Sequence, residues 1–368
     1  MKGRRPRPLD DGDSGEVRVS GHLSWAKLIK NRRSFSALQS ATITFMSTFS
    51  NCTSSAIDQA ADALLAGNLV AFPTETVYGL GGDASNEKAV EKIYEVKGRP
   101  TDHPLIVHIS DINYLDRWAR EVPKYAIELA KAFWPGPMTL ILPRTLNAKN
   151  FITGGQDSVG IRIPNQIIAL KLLSVFEKKG GIGIAAPSAN RFGAVSPTSA
   201  EAVKSELGNY LNRSDLILDG GICQVGVEST IIDCTSDNPS ILRPGAVTIS
   251  MIQDVTDLLL VFENIRLIKA SGNLESHYAP SAQVLLNQTP NIGDGLIALS
   301  DFKTPPGVIR LASPNNSEEY AKVLYQSLRD GDRKQINRIC VILPTGDDIA
   351  LAVRDRLKKA SKRNLNYE

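Results

Sequence analysis

The chain is predicted to be an α/β protein, built as a twisted, open mixed sheet followed by a smaller α/β domain. Three observations predict this. From Ser55 onward, short apolar runs alternate with stretches whose apolar residues recur at helical spacing. The 368 residues are enough for two separate cores. A polar stretch at 263–282, punctuated by Gly and Pro, interrupts the pattern and reads as a linker. The expected organisation is a leader over 1–55, a first domain over 56–262, a linker or lid over 263–282 and a C-terminal domain over 283–368.

Taken in order, the first helix is expected near 56–66, where Ile57, Ala60, Leu64 and Leu65 share a face and Gly67 ends it. Leu69 to Phe72 reads as a buried strand. A second helix over 87–97 buries Ala89, Val90, Ile93 and Tyr94 and stops at Gly98 and Pro100. Strands are expected at 104–109, 138–142, 158–163, 181–186, 229–233 and 240–243. Thr198 with Glu201 three residues on predicts a capping box for another helix. Beyond the linker, the runs QVLLN, GLIALS, GVIRLA and ICVILP predict strands, with helices at 317–329 and 348–360. That second domain carries neither G-x-G-x-x-G nor a G-x-x-x-x-G-K-[ST] loop.

Bulk properties exclude several classes of function. No apolar run reaches the roughly 20 residues that span a bilayer. A formal charge of +3 gives no general affinity for nucleic acid, so any basic role must come from local clusters. Cys52, Cys223, Cys234 and Cys340 form no C-x-x-C pair, which argues for buried, reduced thiols and a reducing compartment. The leader differs from the rest: after Glu16 no acidic residue appears until Asp58, while Arg, Lys, Ser and Thr abound. It reads either as an organellar transit peptide or as a disordered tail. Met46 offers an internal start, so the expected location is cytoplasmic, with a mitochondrial or plastid form through the leader.

The chemistry is expected in loops at strand ends, where open α/β sheets bind ligands. Pro73-Thr74-Glu75-Thr76-Val77-Tyr78-Gly79-Leu80 crowds hydroxyls, a carboxylate and a phenol into one turn, as a well-capped turn also would. Lys97-Gly98-Arg99-Pro100-Thr101 sets two cations at a helix C-terminus, which suits either the helix dipole or a polyphosphate. In Ser158-Val159-Gly160-Ile161-Arg162-Ile163, alternation puts Ser158, Gly160 and Arg162 on one face. An arginine in an apolar strand needs a partner, either a glutamate or the carboxylate of a substrate. Ala185-Ala186-Pro187-Ser188-Ala189-Asn190, Ser196-Pro197-Thr198, Gly226-Val227-Glu228-Ser229-Thr230 and Leu242-Arg243-Pro244-Gly245 complete the set.

Together FPTETVYGLGGDA, KGRPTDHPLIVHI, WPGPMTLIL, VGIRIP, AAPSAN, GVESTI and ILRPGAVT, in this order over 71–248, resemble the YrdC-like threonylcarbamoyl-AMP synthases. The likeness is to the long form with an extra C-terminal domain. It covers 56–285 well and continues through strand–helix order and the closing AVRDRLKKAS. It implies a YrdC-like sheet, similar to dihydroxybutanone phosphate synthase, around a basic cavity, with a Rossmann-like second domain. The implied reaction is L-threonine, bicarbonate and ATP giving threonylcarbamoyl-AMP and pyrophosphate. Transfer to the adenosine beside the anticodon of tRNA would follow, through a downstream tRNA threonylcarbamoyl transferase complex. By motif, Lys97, Arg99 and Thr101 would hold the triphosphate, and Ser158, Ser188, Asn190, Ser196 and Arg243 would complete the ATP site. Arg162 would clamp the threonine carboxylate, with Thr74, His108, the Ala186 backbone and Ser229 around it. His108 reads equally as a core histidine. Mg²⁺ is expected to arrive with ATP, since no acidic cage is evident.

The linker departs from the family, with Leu274-Glu275-Ser276 where basic residues usually precede His277-Tyr278-Ala279-Pro280. Tyr278 is expected to close over the phosphates. Two other functions fit parts of the pattern: a dihydroxybutanone phosphate synthase, which needs an acidic metal loop, and a non-catalytic module binding double-stranded RNA or tRNA in a basic cavity.

Overall fold

Glycine makes an interior strand of the main sheet. Gly79–Asp83 (GLGGD) pairs with a strand on each side, and a Cβ on Gly81 would sit 2.8 Å from both Ile184 and Phe72. Such an approach is open only to glycine. Gly79 and Leu80, expected from the sequence in the turn that follows the first strand, are instead the first two residues of this strand.

The computed structural model describes residues 52–258, 260 and 277–362, all within one compact unit, Thr42–Glu368. The predicted leader up to residue 51 and most of the linker, including Leu274-Glu275-Ser276, lie outside the described residues.

The elements run α1 (Ser54–Leu65), β1 (Val70–Phe72), β2 (Gly79–Asp83), α2 (Glu87–Lys97), β3 (Ile106–His108), α3 (Lys124–Phe133) and β4 (Met138–Pro143). Next come α4 (Asn150–Thr153), β5 (Ser158–Arg162), α5 (Ile167–Lys178), β6 (Ile184–Ala185), α6 (Ala200–Leu207) and β7 (Leu216–Ile217). β8 (Thr230–Asp233), β9 (Ser240–Arg243) and α7 (Ile249–Thr256) close the first part. The second part holds β10 (Gln283–Leu286), β11 (Gly295–Ile297), β12 (Ile309–Ala312), α8 (Ser317–Arg333), β13 (Arg338–Val341) and α9 (Ala350–Ser361).

Among the described residues there are two sheets. The larger is mixed, in the order β7-β1-β2-β6-β3-β5-β4-β8-β9; the smaller is parallel, in the order β10-β13-β11-β12. This agrees with the α/β architecture expected from the alternating pattern. Helices α1 and α5 cover one face, where Ile57, Leu64, Leu172, Leu173 and Phe176 meet Val70, Phe72 and Ile184 in one buried cluster. Burying each such side chain contributes roughly 1.5–3 kcal/mol. Helix α5 escaped the sequence reading because IIALKLLSVFEK is apolar almost all round, which erases the helical stripe.

One predicted cap is corrected. Helix α6 is capped by Ser199, whose Oγ accepts from the Ala202 amide at 3.2 Å, rather than by Thr198. Thr198 is held outside the helix, buried, with its carbonyl accepting from the Cys223 amide at 2.9 Å. The four cysteines are all free thiols, and Cys223, Cys234 and Cys340 are buried. No helix among the described residues is long and apolar enough to cross a membrane.

Candidate functional site

The strand register gathers the chemistry at one end of the main sheet. His108, at the end of β3, pairs across to Arg162 at the end of β5, and on its other side to Ile184 of β6. Gly79 bridges to Ser188 just beyond β6. A cavity opens there, lined among others by Thr74, Arg99, His108, Arg162, Ala186, Ser188, Ser229, Arg243 and Tyr278. All nine were singled out in the sequence.

The β1–β2 turn is a self-contained hydroxyl network. Thr74 Oγ1 donates to the Val77 carbonyl at 2.6 Å and accepts from the Thr76 amide at 3.1 Å. Thr76 Oγ1 accepts from Arg162 Nη2 at 2.9 Å. Glu75 meets the same Nη2 at 2.8 Å, with the two side chains 2% and 6% exposed. The protein partner that a buried arginine requires is thus Glu75. The ion pair leaves the guanidinium bordering the cavity, aimed by two groups from one turn.

Arg243, at the end of β9 and also in the lining, donates to the Ser229 carbonyl at 3.0 Å and to Ser229 Oγ at 3.1 Å. Ser229 Oγ is tied in turn to Thr139 of β4 at 2.8 Å. Arg99 follows the left-handed Gly98 (φ 62°) that ends α2, and its Nη2 donates to the Pro104 carbonyl at 2.9 Å. Burial draws its pKa down to about 10, so it stays cationic at neutral pH.

The other predicted residues lie elsewhere. Lys97 sits behind the wall, its Nζ donating to the carbonyls of Ser188 at 2.6 Å and Asn190 at 2.5 Å. Burial and the neighbouring Arg99 hold its ammonium well below the ordinary lysine range. Asn190 ties Arg191 and Ala194 together, while its Oδ1 takes no hydrogen bond among the described residues. Ser196 Oγ donates to Glu228 at 2.6 Å. Thr101 is exposed beyond α2, and Ser158 opens β5 opposite Pro143, about 13 Å along the strand from Arg162. None of these five predicted residues is in the cavity lining.

Glu228 and His277 are among the lining residues that were left out of the predicted site. Glu228 stood inside the GVESTI motif, a carboxylate at the mouth of a buried strand, which was the available signal. Burial alone would raise its pKa, but Arg356 and Arg243 overturn that and hold it at about 2. His277 and Tyr278 form the roof, their rings 4.0 Å apart. Tyr278 is 1% exposed and holds φ 62°, a backbone state costing a non-glycine residue on the order of 1 kcal/mol. Its hydroxyl and His277 Nδ1 make no hydrogen bond among the described residues. Both therefore offer buried polar atoms to the cavity.

Burial, reinforced by Arg162, lowers the His108 pKa to about 3; burial likewise puts His277 at about 3. Both imidazoles are therefore neutral at working pH. In a ¹H NMR titration their C2 protons are expected to hold constant shifts between pH 8 and 5. A shift with a midpoint near 6.5 would contradict the buried, neutral assignment. Their folded pKa values lie below the unfolded one. The stability they contribute is therefore complete above about pH 6.5 and falls as the pH drops toward 3.

Comparison with known proteins follows the same lines. Residues 62–245 match the Sua5/YciO/YrdC family profile, described as "Telomere recombination". Residues 247–362 match the profile of the threonylcarbamoyl-AMP synthase C-terminal domain. The threonylcarbamoyl-AMP synthase of Pyrococcus abyssi is 41% identical over 325 residues, covering 82% of this chain and 93% of that protein. The Bacillus subtilis synthase is 39% identical over 328 residues, covering 83% and 92%. The Schizosaccharomyces pombe synthase is 32% identical over 369 residues, covering 84% and 89%. The crystal structure of P. abyssi Sua5 complexed with L-threonine superposes with a TM-score of 0.75 at 40% identity, covering 83% of this chain and 94% of that one. With two profiles spanning the described residues in sequence, and full-length relatives at this identity, the chain belongs to the threonylcarbamoyl-AMP synthase family, in its form with the added C-terminal domain.

Proposed function

We propose that the protein condenses L-threonine, bicarbonate and ATP into L-threonylcarbamoyl adenylate and pyrophosphate. The observation that carries this reading is the convergence of Arg99, Arg162 and Arg243 on one cavity whose lining includes no thiol. In the proposed sequence the threonine amine and bicarbonate first give a carbamate and water. A carbamate oxygen, already anionic, then attacks the α-phosphorus of ATP. The bond from that phosphorus to the bridging oxygen breaks, and pyrophosphate leaves with the electron pair.

No general base is required at the attacking oxygen, so the protein's work is positioning and charge neutralisation. Arg162, aimed by Glu75 and Thr76, takes the threonine carboxylate; Arg99 and Arg243 take the phosphates, with Tyr278 closing above them. Lys97 lies one carbonyl layer behind Ser188, and an incoming polyphosphate would favour its protonated form. Mg²⁺ enters on the nucleotide. The cavity's Glu228 has its oxygens engaged by Ser196, Tyr325 and Arg356 and does not build a metal cage. The adenylate then passes to a downstream transferase acting on tRNA.

The test is pyrophosphate release from ATP. Release that requires both L-threonine and bicarbonate supports the reaction; release indifferent to threonine overturns it. Serine differs from threonine by one methyl, which a hydrophobic notch discriminates by roughly 1–3 kcal/mol. Serine is therefore expected to support release with a kcat/KM about 5- to 150-fold lower than threonine. Equal kcat/KM values would remove the threonine pocket assigned here.

A further inference from the structure

Two residues of the C-terminal part, Tyr325 and Arg356, meet the cavity lining at Glu228 and at Tyr278. Glu228 is the acidic residue in the cavity lining, and it is 5% exposed. Its Oε2 accepts from Tyr325 of α8 at 2.8 Å and from Arg356 Nε of α9 at 2.9 Å. Its Oε1 accepts from Ser196 at 2.6 Å. Arg356 is fully buried, and its Nη1 is anchored by Asp355 at 2.7 Å. The roof leans on the same pair. The Tyr278 ring stacks on Tyr325 at 5.7 Å, and the Arg356 guanidinium lies 5.5 Å from its centroid. By contrast, the hydrogen bonds of Arg162, Thr74 and Ser229 described above stay within the main-sheet segment.

We infer that Arg356 and Tyr325 are positioning residues for the nucleotide half of the cavity. They hold Glu228 so that its charge is neutralised and turned away from an incoming triphosphate, and they seat Tyr278 and Ser196. A carboxylate in a phosphate-binding cavity is a liability unless a cation is permanently assigned to it, because like charges at close range repel strongly in a low-dielectric site. Arg356 supplies that cation from outside the main sheet, leaving Arg99 and Arg243 for the ligand. Deleting Arg356 frees the Glu228 charge and hands it to Arg243, weakening nucleotide binding twice over. Threonine binding, which the functional reading places chiefly on Arg162 with its own partners Glu75 and Thr76, is left nearly intact.

This inference rests on the functional reading above, and its test separates the two. Binding of α,β-methylene-ATP and of L-threonine is measured separately by calorimetry on the full chain, with folding checked by circular dichroism. Arg356→Met is expected to weaken the nucleotide analogue at least 10-fold and threonine less than 3-fold. Adding Glu228→Gln in that background is expected to recover most of the lost nucleotide affinity, which a purely structural bolt would not do. Tyr325→Phe, which keeps the ring packing, gives a milder case with about 3- to 10-fold weaker nucleotide binding, and it serves if Arg356→Met does not fold. Unchanged nucleotide affinity in the folded variants, equal losses for both ligands, or no recovery with Glu228→Gln would each overturn the inference alone. Wild-type protein that binds neither ligand would overturn the functional reading and this inference with it.

Discussion

Arg162→Lys protein is expected to lose threonine-dependent pyrophosphate release by at least about 100-fold while remaining folded. Arg162 makes an ion pair to Glu75 at 2.8 Å and a hydrogen bond to Thr76 at 2.9 Å, and borders the cavity. A planar fork can hold those two protein groups and still present N–H donors to a substrate carboxylate; an ammonium is a point charge and cannot do both. Hydrogen bonds to charged groups contribute roughly 1.5–3 kcal/mol each. Losing two at the substrate therefore corresponds to about two to four powers of ten in kcat/KM. The lysine keeps the charge, so Glu75 is not left as a bare buried carboxylate and the fold survives. The loss is expected mainly in KM for threonine, since ATP meets Arg99 and Arg243. Activity within 3-fold of wild type would show that Arg162 serves Glu75 alone, the structural reading that its strand position always allowed.

That ambiguity illustrates how far the sequence could be read. Alternation in SVGIRIP was enough to show that Arg162 shares a strand face with Ser158, and β5 bears the strand out. Alternation carries no information about which end of the strand meets the cavity. Ser158 accordingly lies at the far end, and only the pairing of β5 with β3 places Arg162 beside His108. Local signals also served for α2, where Asn86 caps one end and the left-handed Gly98 the other, at the predicted limits. They failed for β2, whose glycines are chosen for close approach to Phe72 and Ile184 rather than for strand propensity.

The largest gap concerns contacts across long sequence separation. Glu228 and Arg356 stand 128 residues apart, and nothing local to AVRDRLKKAS says that its second arginine is fully buried. A buried ion pair of this kind is decided by which elements pack together. Its existence becomes legible only once α8 and α9 are seen against the loop that carries GVESTI. The same holds for Tyr278: the sequence marked it as roof, but its seat on Tyr325 is a tertiary fact.

Gly226→Ala is expected to lower the melting temperature by on the order of 10 °C and to uncouple α8 from the main sheet. Gly226 holds φ 83°, and a Cβ there would collide with the backbone of Ala321 and Lys322 in α8. The left-handed backbone costs an alanine about 1–2 kcal/mol. Overpacking against backbone, which cannot rotate away, adds roughly 1–3 kcal/mol. Each kcal/mol lowers Tm by about 2–4 °C in a domain of some 200 residues. The position also has a functional reach. Ala321 is one helical turn before Tyr325, and Gly226 is two residues before Glu228, so the collision sits beside the contact that neutralises the carboxylate. Lifting α8 would draw the Tyr325 hydroxyl off Glu228 and loosen the seat of Tyr278. The variant is therefore expected to show faster amide exchange in α8 and weaker nucleotide binding, with L-threonine affinity close to wild type. A Tm within 1 °C of wild type would mean that the loop can move away from α8 at no cost. The tight apposition of the two chain segments would then not be what fixes Glu228.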